Sequence, residues 1–574
     1  MTEAIQKSLR ESPMARWSAM FFVSMSMFGA YYFNYAMAAE KTVLASTIGW
    51  NSTDIGVYTS AYAIFNVYFL MLIFSGIILD KLGVKLTGLG STVVMLIGTG
   101  INYWAISTIP YSAHITIPIL GSFPTQVFWS AFGFAIFGVG CEATGITLSK
   151  AIVKWFKGKE MALAMGLQMS LARIGTMFAL VISIPLARHF TYKAPVALSF
   201  VLMFIGVISF IVFVVMDKKL DASEKDLEMP EEEPFRIKDI VKIISIKAFW
   251  YIAILCVLFY GAIFPFMFYA NDFLINKYNV SPNWAGTITG MLPLGTIFLT
   301  PLFGYIYDRK GKGATIMIIG AVMLLFVHSF LAVPFLNYWL FAAVMIFVLG
   351  TAFSLVPAAM WASVPKFIPE NQLGTAYAVI FWIQNIGLWL IPLLLGIVLT
   401  KTNPVVAPNK ALIKSAITES YQKTLAAKGV TIPEKTLRIA IEKTNGDVID
   451  SIVQSTSYVA SVQKDLNLTN VKDQMVSQNV ASAGNLALSS DPKIAIKQLQ
   501  KSFKDATFNV VKQEKLNIRY NYESDILMFV LLGFLSVIVA FLLKAEDKKK
   551  GYGLELPNIA SAAEAVKEAE MEAK

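Results

Sequence analysis

Cysteine and histidine are nearly missing from this chain: two Cys and three His in 574 residues. Both cysteines, Cys141 and Cys256, fall inside long apolar stretches, which argues against a disulfide framework and a thiolate metal site. No metal and no cofactor is expected. Charge is also scarce, at 15% of residues. A phosphate-cradling G-x-x-x-x-G-K-[ST] loop is missing, which disfavours nucleotide-driven work. No lone N-terminal leader is read either, because the first apolar run is too long and no small-residue cleavage site separates it from the next.

What is present is apolar: 56% of residues are hydrophobic and the mean hydropathy is +0.60. A soluble core of this length could not hide so much apolar surface, and the residues come in blocks. A membrane-spanning helix needs about 20 of them in a row. Spans are predicted near 17–38, 55–79, 86–108, 125–149, 161–187, 195–216, 248–271, 284–307, 314–333, 337–361, 374–399 and 526–543. The expected fold is an all-α membrane protein of twelve transmembrane helices in two pseudo-symmetric six-helix bundles.

A net charge of +10 invites a nucleic-acid reading. Its distribution argues for membrane topology instead. With the N-terminus inside, short inner loops carry Arg10, Arg16, Lys81, Lys85, Lys154, Lys157, Lys159, Arg309, Lys310, Lys312 and Lys366, whereas short outer loops carry few cations. That asymmetry places both termini in the cytoplasm.

The predicted organisation is an N-terminal bundle (1–216), a cytoplasmic linker (217–247), helices 7–11 of the second bundle (248–400), an outer-face insertion (401–524), helix 12 (525–544) and a cytoplasmic tail (545–574). The insertion lacks Trp and Cys and carries 17 Lys plus Arg against 11 Asp plus Glu. Apolar residues recur at roughly helical spacing at Ala411–Leu425 and Leu437–Ile449, so it reads as a small helical module.

One loop signature occurs twice. The first copy is Gly76, Asp80, Lys81, Gly83, Lys85, and the second is Gly304, Asp308, Arg309, Gly311, Lys312. Each lies between the second and third spans of its half. Gly76 and Gly304 are expected to let helix ends pack closely, and Gly83 and Gly311 to permit a tight turn. Two halves with this loop in register resemble the major facilitator superfamily of secondary transporters. The resemblance implies a conformational latch between the halves; topological anchoring is the plainer alternative.

Ionisable groups inside a membrane are expensive and are site candidates by default. Glu142 and Arg173 stand out. Glu142 lies 13 residues before Trp155 (155 − 142) and Arg173 lies 13 after Glu160 (173 − 160). Adjacent antiparallel helices therefore put both at one depth, about 20 Å from the loop. That is near the midplane, where such transporters bind substrate. An acid and a base together suggest a zwitterion, with the guanidinium forked on its carboxylate and Glu142 on its ammonium. Mutual neutralisation is an equal reading, and pairing only when empty is a third.

The run Phe137–Glu142, then Trp155, Phe156, Lys157, Gly158, Lys159, Glu160, then Gly166–Gly175 resembles one branch of that superfamily, with further matches at Phe264–Phe266, Gln372–Tyr377 and Gln384, Asn385, Gly387. This branch holds the lysosomal dipeptide transporters and bacterial relatives. The resemblance implies dipeptide transport, with Glu142 and Arg173 holding the peptide termini. It does not cover 401–524, and the branch tends to carry an acid near Ala36 where this chain reads Tyr32, Phe33, Asn34, Tyr35.

Further binding candidates are Tyr32 and Tyr35, beside Tyr31 and Asn34, on the first span; Tyr260, near the Pro265 break; and Gln384 and Asn385, of which at most one can point inward. His328 reads as structural, and Glu40 and Asp272, at outer helix ends, as solvated. The leading function is a short-peptide transporter, by uniport or proton symport. An organic-anion antiporter would need a second cavity cation in the C-half, and none is found mid-span there. A non-transporting receptor sensing through 401–524 is the alternative of another class. The expected partners are a zwitterionic small molecule and lipid. An accessory subunit is not expected, because 401–524 would cover the transporter in cis. Sequons occur at Asn51 and Asn467, yet a bacterial inner membrane is preferred.

Overall fold

In a computed structural model the described residues are 9–557, apart from 119–120, 157–159, 224–236, 370–371, 456–467, 485 and 490. The middle of the linker, loop residues Lys157, Gly158 and Lys159, the sequon at Asn467 and most of the tail fall outside them. Apolar runs without water must satisfy their backbone groups internally, and helices do so within one segment.

Helix α1 (Pro13–Ala39) begins at a Ser12 cap with Pro in its first turn. It turns at Glu40 into the short α2 (Lys41–Thr47). A reciprocal capping box between Asn51 and Asp54 starts α3 (Ser52–Tyr68). Leu70, at φ +52°, then breaks the run, and α4 (Met71–Thr108) departs at 61° before a second kink at Gly83. A hairpin of β1 (His114–Ile117) and β2 (Gly121–Pro124), pairing His114 with Pro124, fills the next connection, an element the apolar pattern gave no sign of. Helices α5 (Thr125–Phe156), α6 (Met161–His189) and α7 (Ala194–Ser223) complete the first bundle.

A short amphipathic α8 (Ile237–Ile244) leads into α9 (Lys247–Tyr278), α10 (Pro282–Lys310), α11 (Gly313–Ala332), α12 (Trp339–Ser363) and α13 (Leu373–Thr402). After the insertion, α18 (Glu523–Lys550) returns to pack on α9 and α11. Among the described residues ten helices are long and apolar enough to cross a membrane, or eleven if Ser52–Tyr68 and Met71–Leu79 form one bent span. Helix α1 lies outside that set; it packs along α6 and α7.

The insertion folds as four helices: α14 (Val406–Lys428), α15 (Glu434–Gln454), α16 (Leu468–Gly484) and α17 (Pro492–Gln513). Tyr421 packs edge-on against Phe503, with centroids 4.8 Å apart, and Asn479 bonds both Ser420 (3.1 Å) and Thr507 (2.9 Å). The module grips both halves. Towards the first, Lys414 donates to the Thr47 carbonyl, Asn445 to the Ser46 carbonyl, and Arg188 pairs with Asp450. Towards the second, the segment after α17, which Asn409 holds to the module through the Asn517 carbonyl (2.7 Å), donates from the Tyr520 N–H to Asn276 (3.0 Å) and from the Tyr522 hydroxyl to Asp272.

The two halves meet directly at this end. Thr53 bonds Thr400 at 2.9 Å, and Asn271 donates to the carbonyls of Ala39 (3.1 Å) and Leu180 (3.2 Å). Here α3 and α13 touch backbone to backbone: a Cβ on Gly56 would lie 2.8 Å from the Pro392 oxygen and 3.0 Å from the Gly396 Cα. Glu40 and Asp272 are buried rather than solvated. The insertion and the opposing half cover helix ends that, in isolation, would be wet.

At the other end, Gly83 and Gly311 adopt φ of +71° and +66°, as a turn that excludes a side chain requires. Gly76 and Gly304 do not serve close packing: a Cβ on either would meet nothing within 4 Å. The second loop is covered by the chain after α18. Lys312 and Gly313 donate their N–H groups to the Glu555 and Leu554 carbonyls at 2.9 and 2.8 Å, and the Glu555 carboxylate accepts from the Thr315 N–H at 2.8 Å.

Candidate functional site

Helices α5 and α6 carry Glu142 and Arg173 to the middle of the molecule. They do not form an ion pair with each other. Glu142 instead accepts a hydrogen bond from the Tyr62 hydroxyl at 2.9 Å, and the Asn385 amide of α13 also interacts with its carboxyl. Arg173 lies against rings: its guanidinium carbon is 4.8 Å from the centroid of Phe353 and 5.6 Å from those of Tyr31 and Phe264. Its Nη1 is buried and has no hydrogen-bond partner. Tyr31 stands between the two, close enough to feel the charge of each.

Aromatic faces stabilise a guanidinium without using its N–H donors. Arg173 is therefore held in place with donor capacity still free. Glu142 accepts from a phenol, and among the described residues no cation pairs with it. Such a pair can receive opposite charges from one ligand, an acceptor group at Arg173 and a donor group at Glu142.

Tyr260 joins this group. Its hydroxyl accepts from the Trp361 indole at 3.1 Å, its ring lies 5.3 Å from Phe264, and it senses the Arg173 charge. Asn385 faces Glu142, whereas Gln384 turns towards Cys256 of α9 at 3.6 Å, so one of the two amides points inward. The first span is a correction. Tyr32 is fully buried beside Ser183 and Phe178, away from Glu142. Tyr35 is enclosed against Phe268 at 5.0 Å, still within electrostatic reach of Arg173. Of the three tyrosines, Tyr31 lies against Arg173. A step of one residue rotates a helical side chain by about 100°, so the wrong neighbour faces the wrong way.

Tyr62, Phe353 and Trp361 were not singled out in the sequence. Nothing local marks them, since Tyr62 on α3 and Phe353 and Trp361 on α12 reach the site only through packing between helices. His328 is buried in α11 between Phe266 and Phe529 and donates or accepts only within its own helix, as a structural histidine would.

The contacts described for Lys85 and Arg309 of the loop signatures lie within their own halves. Lys85 pairs with Asp221, beside Lys154–Asp217 at 2.7 Å, and Trp155 donates to Asp217 at 2.9 Å. Arg309 lies over Tyr305 at 4.7 Å. The Asp80 side chain falls outside the described residues. Lys81 and Asp308 occupy the ends of their helices at the same turns.

The sequence model of the Major Facilitator Superfamily matches residues 17–392. The human lysosomal dipeptide transporter MFSD1 is 26% identical over 390 residues, covering 65% of this chain and 77% of that one. The chicken protein of the same name is 29% identical over 289 residues, covering 48% and 63%; this chain thus spans less than two thirds of that relative. Among solved structures, a bacterial homolog to the human lysosomal transporter Spinster, inward-facing and unoccupied, matches at TM-score 0.53 and 12% identity, over 96% of this chain and 100% of that one. A D-xylose–proton symporter matches at TM-score 0.52 and 11% identity, over 78% and 99%. At these identities the structural likeness concerns the fold. The sequence match, covering well over half the chain, and the two-bundle helical architecture place this protein in one family: it belongs to the Major Facilitator Superfamily of integral, multi-pass membrane transporters.

Proposed function

We propose that this protein carries dipeptides or similarly short peptides across its membrane by alternating access. The substrate's carboxylate binds Arg173 and its ammonium binds Glu142, with Tyr31, Tyr62, Tyr260 and Asn385 around them. The observation that carries this reading is that Glu142 and Arg173 both lie near Tyr31 without pairing with each other, while Arg173 keeps a buried nitrogen free. A zwitterion satisfies both charges at once, whereas a simple anion leaves Glu142 opposed. The names of the curated relatives support the same substrate class.

In this reading both termini are cytoplasmic, in a bacterial inner membrane, and 401–524 covers the outer face in cis in place of an accessory subunit. Closure at the insertion end then corresponds to an outer gate that is shut.

The test is counterflow of a labelled dipeptide into proteoliposomes, for wild type, Glu142→Gln and Arg173→Ala. Uptake in wild type and its loss in both variants is the expected result. Uptake of single amino acids or dicarboxylates, with none of dipeptide, would keep the fold and discard the substrate.

A further inference from the structure

At the corner where α1 gives way to α2, Glu40 is fully buried and neither carboxyl oxygen has a hydrogen-bond partner. Nearby polar groups share that state. The hydroxyls of Tyr32 and Tyr58 are buried and unpartnered, and both rings, with Tyr192, are close enough to feel a charge on Glu40.

The cations on the elements packed round this corner are engaged elsewhere. Lys41 pairs with Asp272, Arg188 with Asp450, and Arg438 with Glu442 at 3.1 Å. Lys414 donates to the Thr47 carbonyl, and Lys410 lies 4.7 Å over the Tyr520 ring. An enclosed carboxylate ion with neither donor nor cation costs several kcal/mol, and a neutral acid far less. Burial accordingly raises the proton affinity of this group, which lies beyond the end of α1.

The residues on either side of Glu40 are held by the opposing half. Ala39, one residue before Glu40, receives Asn271 of α9, and Lys41, one residue after, receives Asp272 of the same helix. Parting the halves removes α9 from both chain neighbours of Glu40 and frees this corner to open towards water.

We propose that Glu40 is a proton-binding site of the outer gate. It holds a proton while the gate is shut and yields it to the outer solution when the gate opens. The bond that breaks is the carboxyl O–H, and the proton passes to water. This rests on alternating access but not on the substrate being a peptide. The sign follows from linkage. A group that binds protons more tightly in the shut state favours that state fully below the ordinary glutamate value of about 4.3, and the preference is lost as pH rises through its raised value.

The test uses the full chain in lipid nanodiscs without substrate, spin-labelled at Thr116→Cys in β1 and Asn337→Cys between α11 and α12, both exposed positions at the insertion end. Pulsed distance measurements from about pH 5 to about pH 9 read the open fraction. In wild type that fraction should grow with pH. In Glu40→Gln it should stay low and flat, and Glu40→Leu serves as a second neutral variant if the amide disturbs folding. A wild type whose distances do not change with pH overturns the proposal, as does a neutral variant that titrates like wild type. Because no substrate enters, either failure leaves the peptide assignment standing, and loss of peptide counterflow says nothing against Glu40.

Discussion

Lys41→Met and Asp272→Asn should each open the gate at the insertion end, by unequal amounts. The two side chains are 2% and 1% exposed, one on each half. Removing one partner of such a buried pair costs about 3–5 kcal/mol, because the other is left charged and enclosed. The remaining contacts decide where in that range each variant falls. Without Lys41, Asp272 still accepts from Thr42 (2.8 Å), Asn276 (2.9 Å) and Tyr522, so the loss lies near the lower end. Without the carboxylate, Lys41 keeps the Tyr522 hydroxyl (2.8 Å) and the Tyr520 ring (4.4 Å), and the loss lies near the upper end. The contact exists only when the halves are together, so the cost falls on the shut state. About 3 kcal/mol is roughly a hundredfold in the shut-to-open ratio. The spin pair at Thr116 and Asn337 reads it directly: mostly short distances in wild type, a mixture in Lys41→Met, and mainly long distances in Asp272→Asn. The double variant removes both charges and should recover part of the closure. Shut populations unchanged in both single variants would refute the reasoning, as would a double variant as open as Asp272→Asn alone.

Three further outcomes are expected. Burial pushes Asp450 up to about 6 against the pull of Arg188; its contribution to stability is complete below the ordinary aspartate value of about 3.9 and is lost as pH rises through about 6. Asp450→Asn should therefore melt like wild type near pH ~4 and higher than wild type above pH ~7, and thermal scans showing the same pH dependence for both would count against this. Glu555→Ala removes the acceptor of the Thr315 N–H and hydroxyl at the start of α11; the loss should be about 1 kcal/mol, seen as faster proteolysis after Lys549 and Lys550, and an unchanged cleavage rate would show that the contact does not hold the segment down. Deleting 405–520 with a short linker should lower the melting temperature markedly, and an unaltered melting curve would end the reading of the insertion as a cover in cis.

The helices that carry the central charges were legible in the sequence, and the directions of their side chains were not. Counting residues along two antiparallel helices put Glu142 and Arg173 level, because rise per residue is nearly constant. Whether they touch depends on azimuth and on third parties. Tyr62 engages one, and Phe353 and Phe264 the other. Neither ring comes from the same half as Arg173. The same limit explains the first span, where Tyr31, Tyr32 and Tyr35 were all candidates and only direction separates Tyr31, beside Arg173, from Tyr32, beside Ser183. Helices within the insertion were legible at 411–425 and 437–449 because their apolar residues recur periodically. The hairpin at His114–Pro124 was not, since two four-residue strands carry too short a pattern to separate from a polar connection.

Glu40 and Asp272 show most clearly why the remainder was hidden. A charged residue at the end of an apolar span is normally solvated, and nothing beside it in the chain says otherwise. Here the covering groups come from far away: Asp272 lies 231 residues from Lys41, and Tyr522 lies 250 from Asp272. The insertion therefore alters the chemistry of the gate without adding a residue to the central site. It brings Tyr520 and Tyr522 over Lys41 and keeps water from the pair. A pair shielded in this way is strong when intact and costly when broken, so a gate built on it should be nearly two-state. The acid beside it, Glu40, has no such partner. One closure thus stabilises Lys41–Asp272 as ions and Glu40 as a neutral acid, and parting the halves reverses both conditions together.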